Sequence, residues 1–211
     1  RDHLGPLSFD HCRCQGRHNS ITSVITFTKP FTNHYFLSQL HIVNRMHSIH
    51  GHENDALIIG RFQPLHNGHL EVIRKVSAEC DHVIIGIGSA QSSHTSENPF
   101  TAGERYLMMS ETLKDEGIDN AMIVPVEDLN RYSVCVSHVE SICPPFSIIY
   151  SNNLGTRRLF TEAGYEVRHA PLYNRRDHSG TEVRRRMANG GDWRSLVPEP
   201  VAKVIDAIDG V

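Results

Sequence analysis

Two histidines stand three residues apart in the string Gly60-Arg61-Phe62-Gln63-Pro64-Leu65-His66-Asn67-Gly68-His69. The short apolar run Ala56-Leu57-Ile58-Ile59 precedes it. Behind it come Leu70, Ile73, Val76 and Cys80, which recur at helical spacing. The string is therefore a strand-to-helix turn. Pro64 fixes φ and Gly68 permits close backbone approach, so the turn can be tight. At the opening of a helix, His66 and His69 can face one side, above free N–H groups that attract anions. Arg61 ends the strand and faces the same crevice. Those types at that spacing suit the holding of a polyphosphate without a P-loop. A lone histidine is ordinarily a surface or satisfied core residue; two with an arginine on one turn favour the anion site.

A second anion-binding pattern lies near the carboxyl end. Ser179-Gly180-Thr181 opens a basic helix, and its hydroxyls and N–H groups can hold phosphate oxygens. Arg184, one turn in, reaches the same place. Arg185 and Arg186 point elsewhere around the helix and read as a solvated basic face. Gly86 and Gly88 end a strand, where missing side chains let a nucleotide lie on the backbone. For Gly86, tight sheet packing explains the residue equally well. Arg105 falls inside a helix, where a phosphate ligand and an ordinary ion pair are equal readings.

Strands and helices alternate from residue 56 onward. Strands are expected at 56–60, 82–88, 121–126, 147–150 and 165–168. Helices are expected at 69–80, 101–116, 133–143, 153–163, 181–189 and 199–208. Thr101 with Glu104 three residues on is a capping-box signature. The alternation implies βαβ units: an α/β, Rossmann-like, doubly wound, mostly parallel five-stranded sheet with flanking helices. In such a sheet, ligands sit beyond the carboxyl ends of the strands, where the loops above lie.

Residues 1–54 differ in character, being rich in His, Ser, Thr and Asn with no sustained period. They are expected to be a disordered or non-native extension, with the native start at Met46 and the catalytic domain at 55–211. Intact mass of the protein made from its own gene checks this. Asp10-His11-Cys12-Arg13-Cys14 with His18 hints at a metal site, but no second paired knuckle follows, so an unstructured tail is the expectation. The net charge of −3 argues against a protein that coats nucleic acid. No apolar run approaches the roughly 18 residues of a membrane span. Five cysteines at irregular spacing read as reduced thiols in a cytoplasm.

The decamer resembles the H-x-G-H signature of the nucleotidylyltransferase superfamily. Further strings narrow the resemblance: Gly88-Ser89-Ala90-Gln91, Ser93-His94, Asn98-Pro99-Phe100-Thr101-Ala102-Gly103-Glu104-Arg105, Tyr150-Ser151-Asn152-Asn153, Ser179-Gly180-Thr181-Glu182-Val183-Arg184-Arg185-Arg186-Met187 and Gly191-Asp192-Trp193-Arg194. Together they resemble archaeal nicotinamide mononucleotide adenylyltransferases, over residues 56–211 and in the same order. The resemblance implies transfer of the adenylyl group of ATP to nicotinamide mononucleotide, giving NAD and pyrophosphate. It implies a catalytic clamp of Arg61, His66, His69 and Arg184, and ATP or substrate contacts from Gly60, Phe62, Gln63, Gly88, Ser89, Arg105, Asn153, Ser179, Gly180 and Thr181. Mg²⁺ would be carried by the nucleotide, since no dense carboxylate cluster is present. A cytoplasmic homo-oligomer is implied as well.

Two positions depart from the family. Cys135 stands where a tryptophan is usual, expected there to stack on the nicotinamide ring; a thiol gives up roughly 1 kcal/mol or more of that contact. Glu97 stands where some relatives carry an arginine that contacts phosphate, and others an acid. Cys135 keeps open another acceptor, the deamidated nucleotide or phosphopantetheine. A sensor that binds ATP or NAD without turnover is the other alternative, against which stands the retention of the whole clamp.

Overall fold

The computed structural model describes residues 54–170 and 179–210, all within one compact unit. The extension expected over residues 1–54, with Met46 and the Cys12–Cys14 region, lies outside the described residues but for Asn54.

The elements follow the alternation of the sequence. They are β1 Ala56–Gly60, α1 Asn67–Glu79, β2 Val83–Ile87, α2 Ala102–Asp115, β3 Ala121–Pro125, α3 Cys135–Ile142, β4 Ile148–Tyr150, α4 Leu154–Glu162, β5 Glu166–Arg168, α5 Gly180–Ala188 and α6 Glu199–Ala207. Short 3₁₀ turns at Tyr132–Val134 and Arg194–Leu196 add to the expected set. The strands form one parallel sheet in the order β3-β2-β1-β4-β5, with Ile58 of β1 paired to Ile85 on one side and Tyr150 on the other. The fold is the Rossmann-like α/β architecture that the pattern implies.

Successive strand residues face opposite ways, so each strand feeds two cores. Ile58, Val83, Ile85 and Ile87 join Ile73 and Val76 of α1, Met108 and Met109 of α2, Val183 of α5 and Ile205 of α6. Leu57, Ile84 and Ile149 join Val139 of α3, Phe160 of α4 and Phe146. Each such burial contributes roughly 1.5–3 kcal/mol. With both faces covered, β1, β2 and β4 are apolar throughout, whereas the edge strand β5 carries Glu166 and Arg168.

The chain winds outward from β1 through β2 to β3, then returns to the far side of β1 for β4 and β5. The direction reverses between β1 and β4, and there the loops part to leave a crevice at the strands' carboxyl ends. Helix ends at that rim are capped as read: Thr101 and Glu104 form a capping box at α2, and Ser179 and Asn153 cap α5 and α4.

Candidate active site

The β1–α1 turn carries the histidines. His66 is extended and caps α1, its Nδ1 accepting from the His69 backbone N–H at 3.3 Å. An imidazole nitrogen that accepts carries no proton, so neutral His66 is protonated at Nε2. The His69 ring stacks on that of His66 with centroids 3.6 Å apart, and the Phe62 edge closes on it at 4.8 Å. Burial first, and then the neighbouring His66, hold the His69 pKa well below the usual imidazole range. The His69 ring is thus kept neutral and can act as a donor rather than a charge. His69 Nδ1 is buried without a hydrogen-bond partner, which leaves Nε2 as the nitrogen able to meet a ligand.

The turn is braced from below. The Gln63 side chain brackets the Phe100 backbone, donating to its carbonyl at 2.8 Å and accepting from its N–H at 3.0 Å. Phe62 sits at φ 47°, a left-handed conformation that an aromatic residue adopts only under restraint, and its ring is buried against Gly60. A Cβ at Gly60 would meet that ring at 3.2 Å. Phe62 and Gln63 therefore shape the turn with their side chains and offer a ligand only backbone.

Arg184 reaches back from α5 to the same turn. It donates to the Gln63 carbonyl at 2.8 Å, with Thr181 Oγ1 at 3.4 Å. Burial, and then the charge of Arg61, lower its pKa; Glu97 partly offsets them. Arg61 is exposed, and among the described residues no carboxylate is hydrogen-bonded to it or to Arg184. Two guanidiniums that repel one another beside a helix start are able to hold an anion. Gly180 permits this approach, since a Cβ there would stand 3.1 Å from Arg184 Nη1 and 3.3 Å from the Gln63 oxygen. Arg185 and Arg186 differ: both pair with Glu182, holding its carboxyl down to about 2. They are the solvated face.

Arg105 forms no salt bridge among the described residues. Its buried guanidinium donates to the carbonyls of Arg61 and Gly88 at 2.9 Å, Ser89 at 3.1 Å, and Ala90 and Ser92 at 3.4 Å, while Nε meets Thr101 at 3.2 Å. It ties the loop after β1 to the loop after β2. Ser89 is likewise committed, its Oγ donating to Asp128 at 2.5 Å. Asn153 serves as a cap, accepting from the Thr156 N–H at 3.0 Å. Gly88 binds the Gly60 carbonyl through its N–H at 2.8 Å, and a Cβ on it would meet only that strand end, so it forms a bare ledge at the rim. A Cβ on Gly86 would press on Ile59 at 3.3 Å and on Val126, so packing explains Gly86.

Across the rim from Arg184 lies a cavity of about 460 Å³, on the α3 side of the sheet. Ile59 and Val126 line it from the strand ends, Asp128 and Tyr132 from the loop after β3, and Cys135 and His138 from α3. Cys135 and Tyr132 thus share one cavity, with the Tyr132 ring 80% exposed. Sequence reading missed Asp128, whose only sequence signal is its place just past a strand's carboxyl end. A larger cavity of about 720 Å³ lies between α2 and α6, away from these residues.

The family model for cytidylyltransferase-like proteins matches residues 57–186, from β1 through Arg184. The chain is 54% identical over 159 residues to the nicotinamide-nucleotide adenylyltransferase of Thermoplasma volcanium, across 75% of this chain and 89% of that protein. It is 53% identical over 155 residues to the protein of the same description from Methanococcus aeolicus, across 74% of this chain and 90% of that one. Among solved structures it is similar to a bifunctional NMN adenylyltransferase/ADP ribose pyrophosphatase from Francisella tularensis, complexed with AMP and a Mn ion. That likeness has a TM-score of 0.56 at 25% identity and covers 72% of this chain, but only 49% of the other. A nicotinate-nucleotide adenylyltransferase structure from Vibrio parahaemolyticus shares the fold, with a TM-score of 0.54 at 18% identity over 74% of this chain and 93% of that one.

Proposed function

This chain belongs to the nicotinamide-nucleotide adenylyltransferases, and we propose that it performs their reaction with the residues assembled at the β1–α1 turn. The 5′-phosphate oxygen of nicotinamide mononucleotide attacks the α-phosphorus of ATP. A new P–O bond forms, the bond to the bridging oxygen of the β-phosphate breaks, and pyrophosphate leaves with the electron pair. NAD is the product.

Nothing in this transfer needs a covalent intermediate. The protein's part is alignment and neutralisation of charge on the transferring group. Arg61 and Arg184 supply two positive charges beside the turn, Arg184 held there by the Gln63 carbonyl. His66 and His69 donate from Nε2 to phosphate oxygens, with the α1 N-terminus behind them. Ser179, Gly180 and Thr181 offer the α5 N-terminus to the outer phosphates, and Gly88 gives a ledge free of side chains. Phe62, Gln63, Ser89, Asn153 and Arg105 act by holding these groups in place.

Among the described residues, no three carboxylate, imidazole or thiolate groups converge. A divalent ion such as Mg²⁺ would thus be held chiefly by phosphate oxygens, where it neutralises charge on the leaving group. No helix among the described residues is long and apolar enough to cross a membrane. By family resemblance the enzyme works in the cytoplasm as a homo-oligomer without nucleic acid, which sedimentation velocity at micromolar concentration checks for assembly.

The observation that carries the proposal is Arg184 docked on the Gln63 carbonyl of the turn that bears His66 and His69, close enough to Arg61 to feel its charge, with no carboxylate among the described residues hydrogen-bonded to either guanidinium. Pyrophosphate release from ATP and Mg²⁺ tests it, with nicotinamide mononucleotide, its deamidated form and phosphopantetheine as rival acceptors. Turnover with the first, lost in His69→Ala, is the expected result. ATP binding without turnover on any acceptor refutes it.

A further inference from the structure

Asn67 stands directly after His66 and is the first residue of α1. Its Nδ2 donates to the carbonyl of Ser195, 128 positions further on, at 3.1 Å. That carbonyl is left over by the chain's own pattern. In the 3₁₀ turn Arg194–Leu196, the N–H groups of Leu196 and Val197 take the Trp193 and Arg194 carbonyls at 3.0 and 3.3 Å. The next donor in that series would be Pro198, which has no N–H. Among the described residues the donor is instead Asn67.

Ser195 is itself firmly held. Its N–H donates to Asp192 Oδ1 at 3.2 Å, and Arg186 of α5 donates to the Asp192 carbonyl at 2.9 Å. Arg194 bonds Asp206 of α6, and Trp193 and Leu196 are buried. The same helix α5 carries Arg184 in its first turn, docked on the Gln63 carbonyl at 2.8 Å. The β1–α1 turn is therefore gripped by α5 and the segment after it at two points: Gln63 before His66, and Asn67 after it. Between those points the histidines move as one body with the start of α1. The His69 N–H donates to both the carbonyl and Nδ1 of His66, at 2.8 and 3.3 Å, and the rings stack.

We propose that Asn67 is a positioning residue: its bond to the Ser195 carbonyl sets the rotation of the first turn of α1, and so aims the His66–His69 pair at the phosphate that Arg184 holds. The proposal rests on the adenylyltransferase reading above and adds a residue to that site. The bond from Arg184 to Gln63 fixes one point, about which α1 can still roll. A second point removes that freedom. Asn67 thus acts through the histidines, and a fraction of an ångström at a donor is enough to weaken its part in the transfer.

The test is pyrophosphate release from ATP, Mg²⁺ and nicotinamide mononucleotide by Asn67→Ala. We expect kcat to fall about tenfold, KM for both substrates to stay within about twofold, and the circular dichroism spectrum to match wild type. An unchanged kcat, or a loss confined to KM, overturns the proposal. A double-mutant cycle separates aim from mere support. In an Arg184→Ala background, Asn67→Ala should cost about twofold or less, because the pairing that it aligns is gone; a further full tenfold overturns the proposal. Should Asn67→Ala not fold, Asn67→Asp keeps the shape and puts an acid where a helix start favours one, but meets the Ser195 carbonyl with an oxygen. Its kcat should fall as well, and a wild-type kcat counts against the proposal. In each of these failures the wild type still turns over and the adenylyltransferase reading stands. No turnover by the wild type removes that reading, and this one with it.

Discussion

At the scale of the residue, the site separates charges that are committed from charges that are not. Glu182 takes up Arg185 and Arg186, whereas Arg184 meets only a carbonyl and a hydroxyl oxygen. Arg184→Ala should therefore lower kcat/KM for pyrophosphate release by roughly 10²–10³ while leaving the urea midpoint little changed, since it removes charge stabilisation more than packing. Arg185→Ala, read in the same assay, should stay near wild type. His69 gives a prediction about pH. Its folded pKa is held below the unfolded value near 6.5 by burial and His66. The unfolded chain then binds the proton first, so this group's contribution is whole above that value and is lost as pH falls toward the folded pKa. Between pH 7.5 and 5, wild type should lose more stability than His69→Asn, as measured by urea denaturation; equal losses would show that His69 is not held neutral. The pairing of His66 with His69 was legible in the sequence, because spacing on a strand-to-helix turn puts the two rings on a shared side. Arg105 was not. A side chain's partners at a helix's start depend on which loops the fold lays over it, and here those are two backbone turns.

At the scale of the element, helix starts and loop ties hold the rim. The capping box of α2 was readable as Thr101 and Glu104, and both of its hydrogen bonds are made, at 3.2 and 2.7 Å. Thr101→Ala should cost about 1 kcal/mol in urea denaturation. Arg105, one residue further along the same turn, should matter far more. Arg105→Met takes a side-chain donor from six carbonyls, of which those of Thr101 and Ser89 keep a backbone N–H, and is expected to destabilise by about 3–5 kcal/mol. Arg105→Lys, with one ammonium for six acceptors, should recover only part of it. Element bounds were legible to within two residues, since Pro, Gly and caps mark them. The 3₁₀ turn at Tyr132–Val134 was absorbed into the expected helix, because local apolar spacing does not distinguish a tighter turn from the α-helix it leads into.

At the scale of the whole molecule, the sheet order sets the distance between the two ends of the site. Residues of β1, α1 and α5 meet on one side of the rim, and the cavity of α3 lies on the other. In the reading proposed above, a dinucleotide lies across the strands' carboxyl ends over Gly88, and its binding should stabilise the fold as one unit. NAD at a hundredfold excess over its dissociation constant should add about 2.7 kcal/mol, a rise of roughly 5–10 °C in melting temperature. Arg61→Ala should shrink that rise under the same NAD concentration. A rise untouched by the substitution would place the ligand away from this turn.

The sequence by itself determined the alternation of strands and helices, the parallel sheet it entails and the anion-binding character of two helix starts. Each of these is encoded within a dozen residues by period, cap and turn chemistry. Tertiary structure alone decided which helix starts face each other, that Arg184 docks on the Gln63 carbonyl 121 positions away, that Arg105 is bonded to six backbone carbonyls, and that Ser89 and Gln91 hold Asp128. Those contacts join segments far apart in the chain, and their partners are fixed by strand order and packing, which no local pattern of residue types records.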